Sequence, residues 1–175
     1  MTSSSATEVR TERLLLARLT LDEARAVVAL DRDGRAWAAD YPTEGDLVVA
    51  GIACEAGEHY DETAAFGVYQ VRLRETGDAV GGIGFIHPPE QGEAEVGYGL
   101  AESARGRGLA TEALRAVAEW AKAHGVTLLV AMTALDNRPS QRVLERVGFS
   151  RLPGTIEDGE DGGDGPMLRW ELSFA

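Results

Sequence analysis

The stretch from Glu93 to His124 constrains the fold most, because a strand-like segment feeds through a glycine-rich loop into a long amphipathic helix. From Gly108 to His124, Leu109, Ala113, Leu114, Val117, Ala118 and Ala121 recur at three- and four-residue steps, which predicts a helix with one apolar face. Gly125 is its natural stop. The loop before it, Ser103-Ala-Arg-Gly-Arg-Gly-Leu-Ala110, suits an anion. Its glycines let backbone approach a ligand, and the first N–H groups of the helix have no partner inside the helix. The helix dipole adds roughly 0.3 to 1 kcal/mol for an anion, and up to about 2 when partly buried. Arg105 and Arg107 add charge.

Three kinds of phosphate loop compete for this segment. A nucleotide P-loop needs GxxxxGK followed by Ser or Thr, and the lysine is missing. A dinucleotide fingerprint needs GxGxxG or GxGxxA, whereas Gly106-Arg-Gly108-Leu-Ala-Thr111 ends in threonine. Arg105, Gly108 and Ala110 instead match Arg/Gln-x-x-Gly-x-Gly/Ala, the signature of the GCN5-related N-acetyltransferases. Around it, Glu95-Val-Gly-Tyr-Gly-Leu100 resembles that family's central strand, and Asp136-Asn-Arg-Pro-Ser140 leading to Val147-Gly-Phe149 resembles its cofactor-side helix and next strand. The resemblance spans about Arg13 to Leu172 and is sharpest from Glu93 to Phe149.

The resemblance implies an α/β fold with a mixed, mostly antiparallel twisted sheet of six to seven strands, flanked by helices, whose central strand pair splays apart. It implies acetyl-CoA as acetyl donor, an amine acceptor and direct attack in a ternary complex. Arg105, Gly106, Arg107, Gly108, Leu109 and Ala110 would hold the pyrophosphate, and backbone groups of Val96, Gly97 and Tyr98 the pantetheine arm and acetyl carbonyl. Gly97 and Gly99 suit a bulged, closely approached strand.

Acetyl transfer needs a neutral amine, a stabilised oxyanion and a proton for the departing sulfur. Freeing a lysine amine of pKa about 10.4 at neutral pH costs roughly 4 to 5 kcal/mol, against about 1 for an α-amine. Glu95 is the candidate base, directly or through water, since alternation sets it on the side of Glu93 and Gly97; Glu93 is the reserve. As a solvated strand carboxylate Glu95 would do nothing. Many relatives carry a tyrosine acid in a Leu-Tyr-Glu-Lys-x-Gly-Phe run, but Val143-Leu-Glu-Arg-Val-Gly-Phe149 places Leu144 there, which leaves a noncatalytic acyl-CoA-binding regulatory protein as an alternative reading. The Asn-x-x-Ser of Asn137 and Ser140 resembles the branch that modifies ribosomal-protein N-termini, the RimJ/RimL-like one. By that resemblance Ser140 supports the thiolate and Asn137 bonds the cofactor; helix capping is the plain alternative for both.

Elsewhere the chain reads as one domain over residues 10–175 behind a polar tail, residues 1–9. Arg13 to Arg18 reads as a strand, Thr20-Leu-Asp-Glu23 as a capping box opening a helix to Leu30, and Gly45 to Cys54 as a second helix entered through the aromatic loop Trp37 to Thr43. Phe66 to Arg74 and Ala79 to Ile86 read as a hairpin about Glu75-Thr-Gly-Asp78. Thr127 to Met132, Phe149 to Leu152 and Met167 to Phe174 read as further strands, with a short helix from Pro139 to Gly148.

A net charge of −12 disfavours nucleic acid and tolerates a cationic acceptor, either a small amine or a protein N-terminus. Cys54 stands alone, and His59, His87 and His124 lack ligand spacing, so no metal is expected. No apolar run reaches the roughly 20 residues of a membrane span, and the first residues do not read as a secretion signal, which suggests the cytoplasm. Glu157, Asp158, Glu160, Asp161 and Asp164 crowd the segment Gly154 to Gly165, which by the resemblance lies near the acceptor entrance. The resemblance also implies a possible homodimer.

Overall fold

The computed structural model describes residues 8–156 and 165–174. The acidic residues 157 to 164 singled out from the sequence lie outside the described residues. Eight strands form one sheet in the order β1-β2-β3-β4-β5-β6-β8-β7: β1 Glu8–Arg10, β2 Leu14–Arg18, β3 Val68–Leu73, β4 Ala79–Phe85, β5 Glu93–Leu100, β6 Leu128–Ala134, β7 Ser150–Arg151 and β8 Met167–Ser173. Four helices accompany it: α1 Leu21–Ala29, α2 Glu44–Ala56, α3 Leu109–Ala123 and α4 Arg138–Val147. The sheet therefore exceeds the six to seven strands expected, through the short edge strands β1 and β7. Glu8 and Val9, assigned to the tail, already pair with Ala17 and Leu16.

All neighbouring strands run antiparallel except β5 and β6. That parallel ladder joins only Glu93, Ala94 and Glu95 to Leu128, Leu129 and Val130. Beyond it β5 stays paired with β4 through Leu100, while β6 continues beside β8 through Ala134. The β6-facing edge of Val96–Leu100 is left open, which is the splay that the family's fold implies. The expected bulge is elsewhere: β4 and β5 pair without a shift from Val96 to Leu100, and the register slips between β3 and β4 at Val71/Arg72. Continuous register keeps Glu95, Gly97 and Gly99 on one face of β5 and Val96, Tyr98 and Leu100 on the other.

The main core lies between the sheet and α3, where Leu109, Leu114, Val117 and Ala121 meet Leu14, Ile83, Phe85 and Leu129. A second cluster packs α1 and α2 against Trp37, Tyr41 and Ala79. Thr20 caps α1 by accepting from Glu23 N at 3.1 Å, but Glu23 does not return the bond as a capping box requires. Its carboxylate instead takes Trp37 Nε1 at 2.7 Å and Gln70 Nε2 at 3.1 Å, and pairs with Arg35 and Arg72. The reciprocal box forms at α2, where Thr43 and Asp46 cap each other. Leu30, expected inside α1, ends it at φ 52°.

Candidate active site

Each side of the open β5 edge carries a cavity. The smaller, about 550 Å³, lies between the loop after β5, the start of α3 and the start of α4. Arg105, Gly106, Gly108, Leu109 and Ala110 line it from one side, and Asn137 and Ser140 from the other. The larger, about 1080 Å³, lies between the sheet and α2 and includes Asp46, Val48, Ile52, Ile86 and Gly97. Tyr98, Gly99, Leu100 and Arg105 line both, so the cavities meet where β5 leaves β6.

The loop has the local geometry an anion site needs. Gly106 and Gly108 adopt φ of 72° and 77°, in the left-handed region that side chains other than glycine rarely take. Gly108 is also the N-cap of α3, and no side chain bonds there, so the first N–H groups of the helix stay available. Arg105 folds back, Nε donating to Leu100 O at 3.0 Å, and ties the loop to the end of β5. Arg107 lines neither cavity; it contributes its carbonyl, which accepts Arg13 Nη1 at 2.8 Å.

One buried polar atom tests whether a phosphorylated ligand fits. Thr111 lines the smaller cavity, and its Oγ1 is buried with no hydrogen-bond partner. A buried hydroxyl left unpaired costs on the order of 1 to 3 kcal/mol, so an acceptor on a ligand would resolve it. Arg142 and Arg146, one turn apart on α4, add two cations to the same wall. Sequence reasoning missed all three, although the four-residue step from Arg142 to Arg146 on a helix that opens at Asn137 was a usable signal.

Asn137 caps α4, its Oδ1 accepting from Ser140 N at 3.2 Å, while its amide nitrogen remains to donate elsewhere. Ser140 Oγ lies 2.8 Å from the Tyr98 hydroxyl, which also donates to Ser140 O at 3.2 Å. Burial pushes the Tyr98 phenol up to about 12, the Ser140 contact opposing it. Leu144 is fully buried in the core, on the helix turn after Ser140. Val96 is buried and lines neither cavity.

Glu95 lines neither cavity but sits one pleat before Gly97, on the face toward the larger one. Glu93 is engaged: Arg169 reaches it at 3.1 Å while also binding Glu171 at 2.8 Å. Asp46, another residue that sequence reasoning missed, enters the larger cavity beside Gly82, where an added Cβ would stand 2.6 Å from its Oδ1. Burial pushes its carboxyl up, against hydrogen bonds from Thr43 N and Oγ1. Trp37 and Tyr41 are both core residues, and Tyr41 also walls the larger cavity. Among the described residues no cluster of His, Cys, Asp and Glu could hold a metal, and no helix is long and apolar enough to cross a membrane.

Comparison with known proteins agrees with this arrangement. The family model described as the acetyltransferase (GNAT) domain matches residues 13–150. The chain is 33% identical to the uncharacterized N-acetyltransferase YjdG of Bacillus subtilis (strain 168) over 89 residues, 50% of this chain and 53% of that protein, so the match spans about half that relative's length. The acetyltransferase from Agrobacterium tumefaciens str. C58 superposes with a TM-score of 0.66 at 27% identity, covering 98% of this chain and 97% of that one. RimL, the ribosomal L7/L12 alpha-N-protein acetyltransferase solved in complex with coenzyme A, shares the fold at a TM-score of 0.67 and 17% identity, over 95% and 97% of the two chains. With the family model spanning the loop, the open strand pair and α4 together, this chain belongs to the GNAT acetyltransferase family.

Proposed function

We propose that the protein moves an acetyl group from acetyl-CoA to a primary amine, and that the amine is the α-amine of a protein N-terminus. The observation that carries this reading is the meeting of two cavities at Tyr98–Leu100, one with an anion-binding loop and one floored by the sheet beneath α2. Acetyl-CoA, when bound, supplies the activated thioester. Thr111, Arg142 and Arg146 join the loop Arg105–Ala110 in holding its phosphates, and Asn137 donates to it from α4. The open edge of β5 from Val96 to Tyr98 offers unpaired backbone groups to the pantetheine arm.

On the acceptor side, Glu95 takes the amine proton directly or through a water, and Ser140 supports the sulfur. An α-amine fits a site whose candidate base stands a pleat away from the cavity, because it needs only about 1 kcal/mol to lose its proton. Val48, Ile52 and Ile86 are each more than 60% exposed and border the larger cavity. They offer an apolar bed for the first side chain of a peptide, which a polyamine would not use. RimL, an alpha-N-protein acetyltransferase, adds a precedent on the same fold.

The test is incubation with acetyl-CoA and two panels, peptides with free N-termini and small amines, read by free thiol. Peptide-dependent release supports the reading. Release with small amines alone moves the acceptor to that class, and silence with both panels removes the activity.

A further inference from the structure

We propose that Tyr98 is the positioning residue for Ser140, so that a hydroxyl pair reaching across from strand to helix takes the place of the tyrosine that Leu144 replaces. The proposal rests on the acetyl-transfer reading above and adds to it the origin of the support for the sulfur. Tyr98 comes from β5 and Ser140 from the first turn of α4, and their oxygens stand 2.8 Å apart. Both residues line the smaller cavity, and Tyr98 lies at its junction with the larger one.

The hydroxyl protons decide what this pair can do. Tyr98 has one proton and two acceptors, Ser140 O at 3.2 Å and Ser140 Oγ at 2.8 Å. With the proton on the carbonyl, Ser140 must donate to the phenol, and its own proton is spent. With the proton on Oγ, the serine proton is free to face the cavity and meet an acceptor there. A sulfur that gains negative charge is such an acceptor, and it favours the second arrangement. A phenol is protonated at neutral pH and burial pushes Tyr98 further up, so it remains a donor throughout. In the transfer, the amine nitrogen bonds to the carbonyl carbon and the carbon–sulfur bond breaks. The amine yields one proton and the sulfur ends with one, so no other reactant is required.

Leu144 shows why α4 offers no phenol of its own. It lies one turn beyond Ser140 and is completely enclosed by core side chains, so position 144 serves packing. Arg105, Arg142 and Arg146 also line the cavity and lower the cost of negative charge there, so the contribution of the pair is read as a difference between variants with these arginines in place.

The experiment follows the thiolate absorbance of bound free CoA against pH in the intact protein, which needs no knowledge of the acceptor. In wild type the bound thiol should titrate below free CoA. Tyr98→Phe and Ser140→Ala should each return it upward by about one pH unit, a tenfold change in thiolate fraction below the midpoint, read with CoA at saturation. The double variant should match the singles, because the two hydroxyls act as one unit. Ser140→Thr, which keeps the hydroxyl, should restore most of the effect. Equal titration in wild type and Tyr98→Phe, with CoA bound in both, would overturn the pair and leave the acetyl-transfer reading intact. Failure of wild type to bind CoA would overturn both. Ser140→Ala keeps the test open should Tyr98→Phe fail to fold.

Discussion

Arg13 Nη1 donates to the carbonyl of Arg107 at 2.8 Å, tying the turn between the first two strands to a loop ninety-four residues later. The same guanidinium pairs through Nε with Glu112 at 2.7 Å, and Glu112 also accepts from Arg13 N and from Thr11. The glycine loop is therefore braced from outside the segment that carries its glycines. Arg13→Ala should weaken acetyl-CoA binding by roughly ten- to hundredfold, the range of a lost charge-assisted bond. Its effect on melting temperature should be small, since the arginine is half-exposed. Calorimetry and a thermal melt separate the two.

The brace should also respond to acid. Burial alone would raise the Glu112 carboxyl, but hydrogen bonds from Thr11 and Arg13 prevail and hold it below its ordinary value. A depressed carboxylate contributes stability above the ordinary carboxylate range and loses it as pH falls through the lowered folded value. CoA affinity should thus drop as pH falls below the ordinary carboxylate range. Glu112→Gln should be weaker at neutral pH and flatter across that window; a steep acid loss in the variant would assign the response to another group.

Thr111 should give effects of opposite sign. Thr111→Val replaces a buried hydroxyl without a partner by a methyl, so the unliganded protein should be as stable or up to about 1 kcal/mol more stable. CoA affinity should fall by about three- to tenfold. Denaturant unfolding with and without CoA reads both. A loss of stability without ligand would mean that the hydroxyl has a partner in the free protein.

Glu95→Gln should discriminate between acceptors. A lysine-type amine needs a base far more than an α-amine, so kcat/KM should drop roughly a hundredfold for the former and less than tenfold for the latter. Equal losses for both would fit a structural carboxylate instead.

Introducing the family's tyrosine should not improve the enzyme. Leu144 has no accessible surface, and a phenol there overfills a packed site, costing about 1 to 3 kcal/mol. Leu144→Tyr should be less stable and no faster; a faster variant would show that position 144 can still reach the sulfur.

The elements whose own residues set their period were legible in the sequence. The apolar stripe of α3 and the run of β5 from Glu93 to Leu100 could be placed to within a residue, because burial of one face dictates the pattern. The loop could be read because glycine is the residue that a φ near 75° requires. What could not be read depends on partners distant in sequence. Glu8–Arg10 is too short to show alternation and becomes a strand through its pairing with Leu15–Ala17. Thr20-Leu-Asp-Glu23 has the letters of a capping box, but Trp37, Gln70 and two arginines draw Glu23 away. Tyr98 was expected to act through its backbone; its hydroxyl gained significance only when the fold carried it to Ser140, forty-two residues on. Thr111, Arg142 and Arg146 are likewise defined by the cavity they share.

The most direct measurement is thiol release from acetyl-CoA in the presence of peptides with free N-termini, with the acetylated peptide identified by mass. Release should depend on the peptide, with one acetyl group on its α-nitrogen for each thiol freed and a rate lowered in Ser140→Ala. Tight CoA binding with no acetyl transfer to any peptide or small amine would contradict the acetyl-transfer reading, leaving a protein that holds the cofactor without using it.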